Sequence, residues 1–157
     1  MTNLARLAIV VLVGFVVSPW SVAETRAVPA TMAAAAIDRG GGPEMLRVHH
    51  LPVPKPKTGE VLIAVQAAGV GVWDADYREH PWEGAKFPLV LGSDGAGSIA
   101  AIGSGVHGFK VGDPVYGIGG AFYAEYAAVP AEDVAHIPNG IGAVSYTHLT
   151  LPTTERV

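Results

Sequence analysis

Phe87-Pro88-Leu89-Val90-Leu91-Gly92-Ser93-Asp94-Gly95-Ala96-Gly97-Ser98-Ile99 is an apolar run that breaks into three glycines flanking one carboxylate. Glycine lets the backbone come close to a ligand or a second strand, so an apolar strand that delivers an acidic side chain into a glycine-rich turn holds charge near chemistry. The stretch is read as a pocket-lining turn carrying Ser93 and Asp94. The competing reading is a tight turn in which Asp94 caps its own backbone.

Working outward, the flanking segments read as short strands separated by turns. Upstream, Val61 to Ala67 alternates Val61, Ile63, Val65 and Ala67 against Leu62, Ala64 and Gln66, a strand with one face more buried than the other. Leu51 to Lys57 carries three prolines and must be extended. Met32 to Ile37 and Met45 to His49 form the arms of a hairpin around Gly40-Gly41-Gly42-Pro43, which lacks the spacing and following helix of a phosphate loop. Trp73 to Glu79 is read as a short helix with Asp74 near its N-terminus, stopped by His80-Pro81. Downstream come strands at Gly97 to Ile102, Val115-Tyr116, Tyr123 to Val129 and Val134 to Pro138, with turns at Gly103 to Gly105 and Phe109 to Asp113. Gly117-Ile118-Gly119-Gly120 reads as a loop. Six or so short strands at this spacing predict a mainly β fold with short helices, a partly open β-barrel.

Composition sets the outer limits. At 157 residues, 50% hydrophobic and 15% charged, the chain is long enough for one domain with a core and too short for two full ones. With 10 basic against 14 acidic residues it has no electrostatic footprint for nucleic acid or an anionic membrane, so partners are expected to be small molecules or proteins. Zero cysteines exclude disulfides, thiolate zinc sites and cysteine nucleophiles. The six histidines do not converge: His49 and His50 point to opposite faces of one strand, and His80, His107 and His136 are expected in solvated turns.

Three ordered segments, Thr58 to Arg78, Phe87 to Val106 and Gly108 to Gly117, together resemble the N-terminal, GroES-like domain of the medium-chain dehydrogenase/reductase superfamily, and within it the zinc-independent quinone oxidoreductase branch. The likeness covers about Met32 to Gly142. It implies a GroES-like partly open β-barrel whose cofactor-binding Rossmann domain is absent from this chain. It implies NADPH or NADH as cofactor of the full-length protein, a small carbonyl, quinone or alcohol substrate, and a homodimer when full length.

Zinc-dependent members of that superfamily place a Cys where Gly71 stands and begin Gly-His-Glu where Gly92-Ser93-Asp94 stands, so no metal is expected. The resemblance leaves Asp74 and Tyr77 as catalytic candidates, Tyr77 as a hydrogen-bond donor to a carbonyl oxygen. Trp73, Ser93 and Asp94 line the substrate pocket, with Trp82 as a second apolar wall. In the quinone oxidoreductase branch the segment reads Asn-Pro-x-Asp; Gly71-Val72-Trp73-Asp74 keeps only the aspartate.

Met1 to Ala23 has the form of a secretory signal, with Arg6, an apolar run of about 11 residues from Leu7 to Val17, and small residues before a cleavage site after Ala23. The run is shorter than the ~20 residues of a membrane span, so no stable anchor is expected. This predicts a periplasmic or secreted protein, or a cytoplasmic one if Met32 is the true start. Residues 24–31 read as a linker, residues 32–142 as the incomplete catalytic domain, and residues 143–157 as an unstructured, non-native tail. Truncated in this way, the domain is expected to be inactive. The rival reading is an exported, non-enzymatic β-barrel binding module.

Overall fold

Proline and glycine cut the chain into extended segments too short to fold alone, and pairing between distant segments completes them. The computed structural model describes residues 27–146, in which strands β1 (Thr31–Ile37), β2 (Arg47–Pro52), β3 (Glu60–Ala68), β4 (Leu89–Val90), β5 (Asp94–Ile102), β6 (Pro114–Ile118), β7 (Tyr126–Pro130) and β8 (Val134–His136) are joined by helices α1 (Val72–Glu79) and α2 (Ala143–Tyr146). They form two antiparallel sheets that do not close, ordered β2-β1-β4 and β7-β3-β5-β6-β8. The fold is the mainly β, GroES-like partly open barrel that the sequence implied.

Residues 122–125 stitch the sheets together. Tyr123 accepts the Ala35 N–H at 2.6 Å, Glu125 donates its N–H to Ala33 at 3.0 Å, and the Glu125 carbonyl takes the Val65 N–H at 2.9 Å. The expected strand from Tyr123 therefore begins at Tyr126, because Tyr123 to Glu125 turn most of their backbone groups to β1 and the β4–β5 turn and only the Glu125 carbonyl to β3. The core beneath the larger sheet gathers Val61, Ile63, Ile99, Val115, Phe122, Ala127, Val129 and Val134. Burying each such aliphatic or aromatic side chain is worth about 1.5–3 kcal/mol. On β3 the expected alternation gives way to three consecutive buried residues, Val61, Leu62 and Ile63. A register shift between Leu62 and Ile63 against β5 accompanies it.

The decisive stretch folds differently from its first reading. Asp94 is not in the turn: it is the first residue of β5, paired with Ile118 of β6. The turn is confined to Gly92 and Ser93, and Gly92 needs its glycine because φ is +96°. Gly95 and Gly97 are strand residues that allow close approach. A Cβ on Gly95 would enter the Phe122 ring, and one on Gly97 would strike the Ala64 carbonyl of β3. The preceding apolar run is only partly buried, since Phe87 is exposed and Leu91 alone is fully inside.

Smaller corrections follow the same logic. Pro43–Met45 forms a 3-10 turn, so the second hairpin arm starts at Arg47. Thr31 belongs to β1 rather than to the linker. β6 runs through Ile118, leaving only Gly119 onward as loop. Ala143–Tyr146, the first residues of the expected tail, form one helical turn. The expected leader, Met1 to Ala23, and the tail beyond Tyr146 lie outside the described residues. Among the described residues no helix is long and apolar enough to cross a membrane.

Candidate functional site

Helix α1 starts where Gly71 ends an extended segment, and Asp74 closes its first turn by accepting the Gly71 N–H at 2.7 Å while donating its own N–H to the Gly71 carbonyl at 3.1 Å. A carboxylate three residues into a helix satisfies an otherwise unpaired N–H and suits the positive end of the helix dipole. At its other end the helix is pinned to the β1–β2 turn: the Arg78 Nε donates to the Gly41 carbonyl at 3.0 Å, and the Gly41 N–H donates back to Arg78 at 3.0 Å.

Between α1, the β4–β5 turn and the segment after β6 lies a cleft of about 980 Å³. Val72, Trp73, Asp74, Tyr77 and Trp82 form one side, Leu91 to Asp94 the floor, and Ile118 to Ala121 the facing side. All six side chains singled out from the sequence, Trp73, Asp74, Tyr77, Trp82, Ser93 and Asp94, line it. Trp73, Tyr77 and Trp82 stay about half exposed, and the Tyr77 and Trp82 rings meet edge to face at 5.9 Å between centroids.

Asp74 is buried to 4% exposure, and its carboxylate is occupied. Besides Gly71, its Oδ2 accepts the Tyr123 hydroxyl at 3.1 Å, and its Oδ1 accepts Ser93 Oγ at 3.4 Å, a long bond. Tyr123 was not visible as a site residue in the sequence. Its only signal there is that a buried tyrosine hydroxyl needs a partner, and the partner is 49 residues away. Burial raises the Tyr123 phenol pKa above its ordinary value of 10.0; the Asp74 charge, the hydrogen bond to Asp74 and the Asp94 charge push it the same way. The facing side, Ile118 to Ala121, was also missed. It includes Ala121, a non-glycine residue at φ +64°.

The residues at the zinc positions of the superfamily do not fit a metal. A side chain at Gly71 would start inside the Trp73 indole, and Ser93 is turned toward Asp74. Among the described residues no three His, Cys, Asp or Glu side chains converge. His49 lies 3.6 Å from Asp38, and His80 lies 3.4 Å from Asp76. His136 lies in the expected last strand but is paired and stacked rather than simply solvated. It sits in β8, its Nε2 is 3.1 Å from Asp113 Oδ2, and its ring stacks on Phe109 at 4.8 Å. His148 lies outside the described residues.

Comparison with known proteins agrees with this geometry. Residues 57–139 match the alcohol dehydrogenase GroES-like domain. The chain is 39% identical over 104 residues to a quinone oxidoreductase of Pseudomonas aeruginosa, covering 64% of this chain and 32% of that protein. It superposes with a TM-score of 0.67 and 33% identity on a mycobacterial protein solved in complex with NADPH, over 71% of this chain and 35% of that one. A cobalt- and zinc-bound thermostable alcohol dehydrogenase from Pyrobaculum aerophilum matches with a TM-score of 0.69 and 28% identity, over 76% and 44%. The chain thus spans about a third of the length of the curated relatives it matches.

Proposed function

This chain belongs to the alcohol dehydrogenase GroES-like domain family, and from that premise we propose that it is the substrate-side domain of a zinc-independent, NAD(P)H-dependent oxidoreductase acting on a small quinone, carbonyl or alcohol. The observation that carries the zinc-independent part is the donor set: Gly71 has no side chain to offer a metal, and the Ser93 hydroxyl is turned to Asp74. A nicotinamide, when bound, supplies the hydride. Among the described residues two strands lead through glycines into a helix, β3 through Gly69-Val70-Gly71 into α1 and β8 through Gly140-Ile141-Gly142 into α2. Neither has the G-x-G-x-x-G spacing that seats a pyrophosphate, so the hydride donor's site is assigned to chain outside residues 27–146, and residues 1–157 alone are proposed to be inactive.

The cleft's own residues supply shape and polarity. Trp73 and Trp82 offer flat apolar walls to a planar ring and displace water from it, which strengthens any hydrogen bond made inside. Tyr77, on the same side, is the group whose hydroxyl donates to an oxygen that gains negative charge as hydride arrives. Asp74 already holds three donors, so its contribution is to fix α1 rather than to exchange a proton. Export, read from Met1 to Ala23, is part of the same proposal and is checked by N-terminal sequencing of the mature protein.

The test is tryptophan quenching of the 157-residue chain by menadione. Saturable quenching that weakens at least fivefold in Trp73→Ala is the expected result. Linear, collisional quenching of equal slope in both proteins sinks the reading.

A further inference from the structure

Three segments meet at one buried carboxylate. Asp74 takes the Gly71 N–H from the start of α1, the Ser93 hydroxyl from the β4–β5 turn and the Tyr123 hydroxyl from the segment that stitches the sheets. Each of these segments lies beside or within a different side of the cleft, yet the Tyr123 hydroxyl is not among the groups that line it.

Tyr123 is itself held on both sides. Its N–H donates to the Leu91 carbonyl at 2.9 Å, and its carbonyl accepts the Ala35 N–H at 2.6 Å, so its backbone bridges the cleft floor and the smaller sheet. Its ring fills the space beside Gly92, where an added Cβ would lie 2.5 Å from Tyr123 Cδ1. Asp74 is the next residue after Trp73, whose indole lies over Gly71. Movement of the Asp74 carboxylate therefore moves the N-terminal turn of α1, and with it the Trp73 wall.

We propose that Tyr123 is a positioning residue of the cleft: acting through Asp74, it locks the first turn of α1 against the floor and so sets where Trp73 stands. The lock itself follows from the hydrogen bonds and burial. Its consequence for a ligand rests on the functional reading above. Hydrogen bonds to a charged acceptor are stronger than neutral ones, so a buried carboxylate served by neutral donors depends on each of them. Burial first, and then the Asp74 charge and hydrogen bond, raise the phenol pKa, so the hydroxyl keeps the proton it donates to Asp74.

The experiment uses the 157-residue chain and its Tyr123→Phe and Asp74→Asn variants. Tyr123→Phe keeps the ring beside Gly92 and removes only the hydroxyl. With ¹³Cζ-labelled tyrosine, the resonance lost in Tyr123→Phe should titrate above the ordinary phenol value of 10.0 in the parent and at lower pH in Asp74→Asn than in the parent. The Gly71 amide should exchange at least tenfold faster in Tyr123→Phe, and menadione affinity should drop about three- to tenfold while the melt remains cooperative. A Tyr123 titration unmoved by Asp74→Asn, or an unchanged Gly71 exchange rate in Tyr123→Phe, overturns the lock. If the parent binds no menadione, the ligand reading falls by itself, and the tyrosine titration and Gly71 exchange still decide the lock. If Asp74→Asn fails to fold, Tyr123→Phe carries the decision through Gly71 exchange.

Discussion

Asp74 and Asp113 are built on one local plan. Each accepts the backbone N–H of the residue three positions earlier, at 2.7 Å from Gly71 and 2.9 Å from Lys110. Each takes a second contact at 3.1 Å from an aromatic side chain, Tyr123 for Asp74 and His136 for Asp113. They sit near opposite ends of β6: Asp113 directly precedes its first residue, and its last residue, Ile118, lines the cleft, about 16 Å away at ~3.3 Å per residue. What differs is the company. Around Asp74 the donors are neutral and the cleft is walled by aromatic rings, whereas Asp113 has the exposed Lys110 ammonium at 3.9 Å and a half-exposed imidazole. The same turn-closing carboxylate lines a cleft at one end of the strand and braces a surface turn at the other.

The largest effect expected is the one that removes both networks together. Gly97→Val drives a branched side chain into the β3 backbone, where even a single Cβ meets the Ala64 carbonyl. Overpacking of this kind costs roughly 3 kcal/mol or more when backbone must move. Loss of the cooperative thermal transition by circular dichroism is the expected outcome, and a Tm near the parent's would show that β3 and β5 can separate without harm.

Next in size is Asp74→Ala, which leaves the Gly71 N–H and the Tyr123 hydroxyl without their acceptor. A loss of about 2–4 kcal/mol in urea unfolding is expected, together with weaker menadione binding. Asp113→Asn should lower stability less and leave that binding unchanged. Equal effects of the two on binding would erase the distinction between the two ends of β6.

The networks should also fail at opposite ends of the pH scale. The Lys110 N–H, with the His136 bond and the nearby positive charges, holds the Asp113 carboxyl below its ordinary 3.8 against the opposing effect of burial. A lowered carboxyl pKa contributes stability above the unfolded value and loses it as pH falls through the folded one. Tyr123 is shifted upward, so its contribution is complete below the ordinary phenol value of 10.0 and is lost as pH rises beyond it. Tm measured against pH should therefore flatten on the acid side in Asp113→Asn and on the alkaline side in Tyr123→Phe. Crossed or absent effects would show that the shifts arise elsewhere.

The smallest effect separates a bonded from a merely nearby charge. Lys110→Ala keeps the backbone N–H to Asp113 and removes only an ammonium that is 85% exposed, so a change of about 0–0.5 kcal/mol is expected in urea unfolding. A change above 1 kcal/mol would mean that the Lys110 side chain, rather than its backbone, braces the turn.

Much of the cleft was legible along the chain because its near side is local. Trp73, Asp74 and Tyr77 share one short helix, and Ser93 and Asp94 adjoin the one turn in the central stretch. Tyr123 and the Ile118 to Ala121 side were not legible, since nothing in their immediate neighbours says which strand they will face. The same reason explains the misplaced turn. Gly95 looks like a turn residue from its type, and the strand expected from Gly97 in fact begins at Asp94; only the nearness of Phe122 to Gly95 and of the Ala64 carbonyl to Gly97 shows why both positions are kept bare for contact.

The sequence by itself determined the mainly β class, most strand positions, the helix over Trp73 to Glu79 with Asp74 near its N-terminus, and the lack of cysteine ligands. These rest on φ limits, alternation and residue chemistry that act within a few residues. Tertiary structure alone decided that Asp74 would meet Tyr123 and that Asp113 would meet His136. Those partners are 49 and 23 residues apart; the first pair comes together through the pairing of β3 with β7 and the backbone bonds of Tyr123 to Leu91 and Ala35, the second through the pairing of β6 with β8, and no local pattern encodes either.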